Sequence, residues 1–274
     1  MPEKTRGVKL VSLMSGNSRL DNCTPVAYPW RTLSSTAEPS GRGAQRMSNP
    51  DIQSPFNTVP AVVVALTVII IGIEAAFSLG ARGIVGGPTA IGWRLDALQS
   101  YAFSPDILWW MADTGRWPFE HMMRFVSYLF VHLSFTHALF VCVFLLALGK
   151  MVAEVFGELA MLLVFLISGI AGASIYAFVA PGQMPLIGGF PAVYGLIGAF
   201  TFVRWIALGA VGAQQARAFS LIGMLMGVQL VFGLLFGSRP DWIADLAGFA
   251  VGFGVSFFLV PGGWRRILEK IRRQ

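Results

Sequence analysis

Hydrophobic and polar positions divide the chain into a polar N-terminal stretch, six long apolar runs and a short basic end. Each run is long enough to cross about 30 Å of membrane hydrocarbon, at about 1.5 Å of rise per helical residue. A lipid-exposed backbone must satisfy its own hydrogen bonds, so the pattern predicts an all-α membrane protein with six transmembrane helices. The runs are Pro60–Gly80, Phe125–Gly149, Leu159–Ala180, Pro185–Val203, Ala218–Ser238 and Trp242–Val260.

The same pattern predicts three regions. Residues 1–56 scatter basic residues among Pro, Ser and Gly, which is typical of a disordered cytoplasmic tail. Residues 57–262 hold the apolar runs and form the membrane domain, and residues 263–274 form a basic cytoplasmic tail. Between the first two runs, residues 81–123 carry four tryptophans. Tryptophan favours the headgroup region, so we expect a partly helical structure in the outer membrane interface there.

Composition supports the membrane class and indicates an orientation. Hydrophobic residues make up 55% of the chain and charged residues 12%, against about 25% charged in soluble domains. This excludes a soluble globular enzyme. The formal net charge is +6 and both ends are basic, so we expect both termini in the cytoplasm and the chain in a bacterial inner membrane. Nucleic-acid binding is not expected, because no basic stripe carries interleaved aromatic residues.

Three acidic residues lie in or near the apolar runs, where a charge is expensive. Glu74 is near the end of the first run and is expected to reach the interface. Glu154 follows the second run and is expected to be solvated or to cap a helix. Asp245 follows Ala244, which begins a stripe of small residues with Gly248 and Gly252. That stripe favours tight packing, so Asp245 is expected to point inward.

Two histidines, His132 and His137, lie within the second run. Five positions on an ideal helix separate two side chains by about 140°, so one small ligand cannot contact both without help from a loop. A metal site needs three or four convergent ligands, and the sequence has neither a cysteine pair nor an HExxH motif. We therefore expect no metal and no cofactor.

Several motifs occur in order after the tryptophan-rich segment. They read EHMMRFVSYLFVHLSFTHALF, LALGKMVAEVFG, GGFPAVYGLIGAF and ADLAGFAVG. This order resembles the rhomboid family of intramembrane serine proteases, and the resemblance extends from Val59 to Val260. It implies a six-helix bundle with an interfacial loop between the first two helices. It also implies a short fourth helix that rises from the floor of a water-filled cavity.

The resemblance also locates the positions where rhomboids carry their catalytic groups. The family's nucleophile lies in a GxSG motif that opens the fourth helix, and here Phe190 stands in place of the serine. The family's general base is the histidine of an AHxxG motif, and here Asp245 replaces it. In the family's HxxxxHxxxN motif both histidines are present as His132 and His137, but Val141 replaces the asparagine. The chain is therefore expected to lack protease activity.

Other positions match the family's scaffold or line the former site. Those matching the scaffold are Arg124, Glu154, Tyr194, Gly248 and Gly252. Candidates for a vestigial or partner-binding site are His132, His137, Tyr194 and Asp245. An ion pair between His137 and Asp245 across the site is a further expectation. Ser134 has neither the spacing nor the helix of the family's nucleophile, so it is not expected to replace it.

Three functions are compatible with these residues. The leading hypothesis is a catalytically inactive rhomboid-like protein that contacts membrane lipids. It would bind transmembrane helices of partner proteins in their assembly, trafficking or quality control. The first alternative is an active intramembrane serine endopeptidase, which predicts labelling by a serine-reactive probe. The second is a small-molecule carrier or channel, which needs a continuous polar path that the apolar runs hardly offer.

Overall fold

The computed structural model describes residues 59–180, 184–237 and 239–259. The tails predicted for residues 1–56 and 263–274 lie outside these ranges. Six described helices are long and apolar enough to cross a membrane, which confirms the predicted number of spans. The long helices are α1 (Ala61–Ala81), α6 (Phe135–Phe156), α7 (Glu158–Val179), α8 (Phe190–Ala210), α9 (Ser220–Phe236) and α10 (Trp242–Leu259).

The segment between the first two spans is mostly helical, as predicted. It contains a 3-10 turn, Gly87–Gly92, and the short helices α2 (Trp93–Tyr101), α3 (Pro105–Thr114), α4 (Phe119–Met122) and α5 (Arg124–Ser127). An isolated antiparallel bridge joins Phe103 to Leu186, in the connection between α7 and α8. The Trp109 indole N–H donates to the Ala177 carbonyl at 3.2 Å. These contacts hold the segment against α7 and the start of α8.

The second span begins ten residues later than the apolar run predicts, at Phe135 rather than Phe125. Ser134 caps the helix, because its hydroxyl accepts a hydrogen bond from the His137 N–H at 3.2 Å. The preceding residues form α5 and a 3-10 turn, Tyr128–Phe130, and the chain is extended at Val131. His132 therefore lies in a loop before α6, and the 140° separation expected on one helix does not apply.

The span also ends later than predicted, at Phe156. Glu154 therefore lies in the last turn of α6, with a carboxylate oxygen 3.9 Å from the Lys150 ammonium. Gly157 separates α6 from α7 with φ of 93°, a left-handed conformation that favours glycine.

The core forms where α8 crosses α7 and α10. In α8, 56% of the most apolar window is buried, the highest fraction among the six spans. A Cβ on Gly248 would overlap the Pro191 carbonyl oxygen, and one on Gly252 would overlap that of Gly195. The stripe of small residues thus brings the backbones of α8 and α10 into direct contact.

Helix α9 is packed differently from the other spans. Only 11% of the most apolar window in Gln215–Leu235 is buried, against 28–56% in the others. Ile222, near its start, is buried, whereas Val231 and Leu234 are exposed. Most of α9 is therefore presented to its surroundings, not to the bundle.

Candidate functional site

The site begins at the sharp turn that leads into α8. Gly188 has φ of 97°, and its N–H donates to the Tyr128 carbonyl at 2.9 Å. A Cβ at this position would collide with the His137 imidazole. Only glycine fits this conformation and this close approach. Phe190 follows as the first residue of α8, and Pro191 occupies the first turn, where a missing N–H leaves no bond unmade.

Phe190 fills the space in front of the two histidines. Its ring stacks on the His137 imidazole, with centroids 5.1 Å apart and planes 17° apart. His132 meets His137 edge to face, with centroids 5.2 Å apart. The three rings form a contiguous aromatic cluster at the position where the family resemblance places a nucleophile and an oxyanion site.

His132 is a buried, neutral imidazole. Its Nε2 accepts a hydrogen bond from the Gly189 N–H at 3.4 Å. Burial, together with a smaller effect of the neighbouring His137, lowers the pKa of His132 to about 4. The ring is therefore uncharged near neutral pH and contributes an acceptor to the turn before α8.

Val141 supplies an apolar surface where the resemblance places an asparagine. It is fully buried on α6, and a Cβ built on Gly189 would lie 3.0 Å from one of its methyl groups. The side chain carries no hydrogen-bond donor. It packs against the turn and has no group that could stabilise an oxyanion.

Asp245 is 4% exposed, so its side chain lies in the interior. Its carboxylate accepts a hydrogen bond at 2.9 Å from the Gln229 amide on α9. Burial raises the pKa of Tyr128 well above its usual range and the charge of Asp245 adds to the rise, so the carboxylate is close enough to affect that side of the site. The expected ion pair with His137 is not formed: Asp245 is hydrogen-bonded to Gln229, and the His137 ring lies against Phe190.

Gln229 was missed by reasoning from the sequence. An amide in the middle of an apolar run is the signal that could have found it, since such a group needs a partner at membrane depth. Its hydrogen bond to Asp245 links α9 to α10.

Glu74 does not reach the interface, so that prediction was wrong. It is 3% exposed, and its carboxylate accepts two hydrogen bonds from Arg94 at 2.6 and 2.9 Å. The same guanidinium donates to the His132 carbonyl at 2.9 Å. The pair thus connects α1 and α2 to the loop that positions His132. Its signal in the sequence was an acid in the first run followed by an arginine in the next helical segment.

The remaining predicted residues divide between the site and the scaffold. Tyr194 is 4% exposed on α8, one turn beyond Phe190. Arg124 donates to the Ala102 carbonyl at 3.0 Å, and burial lowers its pKa. Glu154 is exposed near the far end of α6, about 28 Å along the helix from its first residue. The structure therefore does not bring Glu154 to the site.

Among the described residues, no three His, Cys, Asp or Glu side chains converge on a point that could hold a metal ion. The chemistry that the site offers is a neutral imidazole acceptor, an aromatic stack and one buried carboxyl group.

Comparison with known proteins agrees with the fold. The family model described as Rhomboid domain matches residues 120–262, slightly more than half of the chain. The match spans α4 to α10, and so includes the turn before α8 and the α8–α10 crossing. No curated protein matches the chain. With its six membrane-spanning helices and this match, the chain is a multi-pass integral membrane protein that belongs to the rhomboid family.

Proposed function

We propose that this rhomboid-family protein is catalytically inactive and binds transmembrane segments of partner membrane proteins. The observation that carries the proposal is the Phe190 ring, which opens α8 and stacks on His137 at 5.1 Å. A side chain without a nucleophilic atom occupies the place from which a serine would have to attack.

Peptide hydrolysis in such a site needs a hydroxyl and a base within hydrogen-bond reach of each other. Phe190 has no hydroxyl, and Asp245 is bonded to Gln229 on another helix. Losing the nucleophile or the base costs about 10⁶ in kcat in a measured serine protease. Losing an oxyanion donor, as Val141 implies, costs about 10²–10³.

Nearby hydroxyl groups have structural roles. Ser134 caps α6 by accepting the His137 N–H. The Tyr128 hydroxyl donates to the Gly169 carbonyl at 2.7 Å. Neither group is paired with a base in the described structure, which supports an inactive site.

Partner binding is supported by the exposure of α9. Because most of this helix packs on nothing within the described bundle, it offers a long apolar surface to another helix in the membrane. Helix association in lipid depends on packing and on polar contacts between helices, because lipid tails are as apolar as leucine. We therefore place the contact surface on the exposed face of α9 and propose that it includes α6, where Phe140 and Val143 are more than half exposed.

Labelling with a fluorophosphonate probe tests the loss of activity. The purified protein should remain unlabelled beside an active rhomboid protease labelled under the same conditions. Cleavage of a membrane-embedded reporter should be absent as well. Labelling that disappears in Ser134→Ala would show instead that a different serine acts as the nucleophile, and the protein would then be a protease.

Photo-crosslinking in intact membranes tests partner binding. A photoreactive residue is placed at Val143 on α6, at Val231 on α9, or at Val68 on α1 as the matched control. All three valines are more than half exposed. We expect adducts from Val143 and Val231 that map to transmembrane segments of particular proteins, with few from Val68. Equal, unselective adducts at all three positions would contradict the proposal.

A further inference from the structure

A cleft separates α9 from the beginning of α10, and the proposed function does not use it. Its volume is about 670 Å³, within the range of about 300–1,000 Å³ found for small-molecule sites. Met226, Leu230 and Leu234 form part of its apolar wall, and Arg239, Asp241 and Gln229 are its charged and amide groups.

Two acceptor atoms in this cleft have no hydrogen-bond partner among the described residues. They are Asp241 Oδ1 and Gln229 Oε1, both buried. The other polar atom of each group is used: Asp241 Oδ2 lies 3.3 Å from Arg239 Nε, and the Gln229 amide nitrogen donates to Asp245. Buried polar atoms without a partner are rare in native proteins. Both atoms are acceptors, so a ligand that satisfied them would carry N–H or O–H groups.

Charge indicates what else the ligand carries. The Arg239 side chain is 42% exposed, and its Nε lies 3.3 Å from Asp241 Oδ2, so the exposed part of the guanidinium can also meet an anion. A positive and a negative group therefore stand side by side above an apolar wall. A zwitterion with an apolar tail matches this arrangement.

We propose that the cleft between α9 and α10 binds phosphatidylethanolamine. The headgroup phosphate pairs with the exposed guanidinium of Arg239, and the ammonium donates to the Asp241 carboxylate, whose side chain is 36% exposed. One acyl chain lies along the wall formed by Met226, Leu230 and Leu234.

The surroundings favour a lipid over a soluble ligand. The cleft lies where a span begins, at the depth of lipid headgroups if α10 crosses the membrane from Trp242. Burial also raises the pKa of Asp241, while Arg239 opposes that rise. An ammonium beside Asp241 would favour its charged form.

The test compares two lipids that differ only in N-methylation. Phosphatidylethanolamine and phosphatidylcholine with identical acyl chains are added in turn to the detergent-purified full chain, and binding is read by native mass spectrometry. The trimethylated headgroup keeps its charge but has no N–H. One charge-assisted hydrogen bond corresponds to about tenfold in affinity, so we expect about tenfold tighter binding of phosphatidylethanolamine.

Variants assign the preference to the cleft. In Asp241→Asn the tenfold preference should disappear, and in Arg239→Gln both lipids should bind more weakly. Asp113→Asn and Arg116→Gln change exposed residues of the same types outside the cleft and should behave as wild type.

Some outcomes would overturn the proposal. Equal binding of the two lipids by the wild type would do so without reference to any variant. A preference that survives in Asp241→Asn would place the lipid elsewhere. Tight binding of soluble glycerophosphoethanolamine would show that the apolar wall has no role. The lipid comparison uses the purified chain without a partner, and the crosslinking positions Val143 and Val231 do not line the cleft, so each proposal can fail alone.

Discussion

The pair of Glu74 and Arg94 places two opposite charges in the interior of the bundle. The Glu74 side chain is 4% exposed and that of Arg94 is 24% exposed. Breaking a buried pair by removing one charge is costly, because the remaining charge is left without a partner. Arg94 also holds the His132 carbonyl, so the pair supports the loop before α6.

We predict that Glu74→Gln lowers the free energy of unfolding by up to about 3 kcal/mol, because Arg94 loses its counter-charge. Thermal unfolding in detergent measures the effect. Glu120→Gln changes an exposed glutamate in α4 and should alter the midpoint little. Equal midpoints for both variants would show that the pair contributes nothing to stability.

The lowered pKa of His132 should make the free energy of unfolding depend on pH. Burial lowers its pKa to about 4 in the folded protein, whereas an unfolded histidine has a pKa of about 6.5. Between these values the unfolded state binds more protons than the folded state. Stability contributed by this group is therefore present above about pH 6.5 and is lost as the pH falls towards 4.

We expect the thermal midpoint in detergent to fall between pH 7 and pH 5, and to fall less in His132→Gln. Glutamine keeps an acceptor for the Gly189 N–H but does not titrate. His121→Gln, which changes a histidine in α4, is measured beside it as the control for removing a histidine elsewhere in the fold. An unchanged slope in His132→Gln would exclude His132 as the titrating group.

For single residues, the sequence predicted which positions belong to the site better than it predicted which side chains those residues contact. The residue types at 190, 245 and 141 were readable from the motifs. The stack of Phe190 on His137 and the bond from Gln229 to Asp245 were not, because each depends on how separate helices approach one another. The expected pairing of His137 with Asp245 was wrong for that reason.

Among the elements, the spans were predictable because crossing hydrocarbon requires a minimum length of apolar sequence. Their ends were less predictable. Phe125–Phe130 is as apolar as a span, yet it forms short turns, because the helix begins after the cap at Ser134. The loop before α6 brings His132 against His137. Because the sequence analysis predicted a helix in place of this loop, it could not predict the contact between the two histidines.

The crossing of α8 and α10 gives a prediction with a control on the same helix. In Gly248→Ala the new Cβ would overlap the Pro191 carbonyl, so the helices must separate. We expect a loss of about 1–3 kcal/mol, as for other overpacked cores. Gly254→Ala has nothing within 4 Å of its Cβ, and should be neutral or slightly stabilising, because alanine favours helix.

Thermal unfolding of both variants in one detergent makes the comparison. Equal destabilisation by the two substitutions would indicate that the loss of stability does not arise from the backbone contact at Gly248. Equal tolerance would show that α8 and α10 are not in backbone contact at Gly248.

In the whole molecule, basic residues do not all lie on the side predicted to be cytoplasmic. The ends of the spans place three described basic residues on that side and five on the other. The three are Lys150, Arg204 and Arg217, and the five are Arg82, Arg94, Arg116, Arg124 and Arg239. Three of these five have partners in the fold, since Arg94 pairs with Glu74, Arg124 with Ala102 and Arg239 with Asp241.

Orientation therefore depends on the basic residues of both tails, which we propose face the cytoplasm. A green fluorescent protein fused at the C-terminus should fluoresce, and alkaline phosphatase at the same place should be inactive. Phosphatase inserted after Gly115, in the exposed turn between α3 and α4, should be active. Replacing the five basic residues after Gly263 by glutamine should increase the fraction with reversed activities. A wild type with an inactive fluorescent protein and an active phosphatase at the C-terminus would show that the tails do not set the orientation as the charge rule requires. The cleft beside Arg239 would then face the cytoplasmic leaflet.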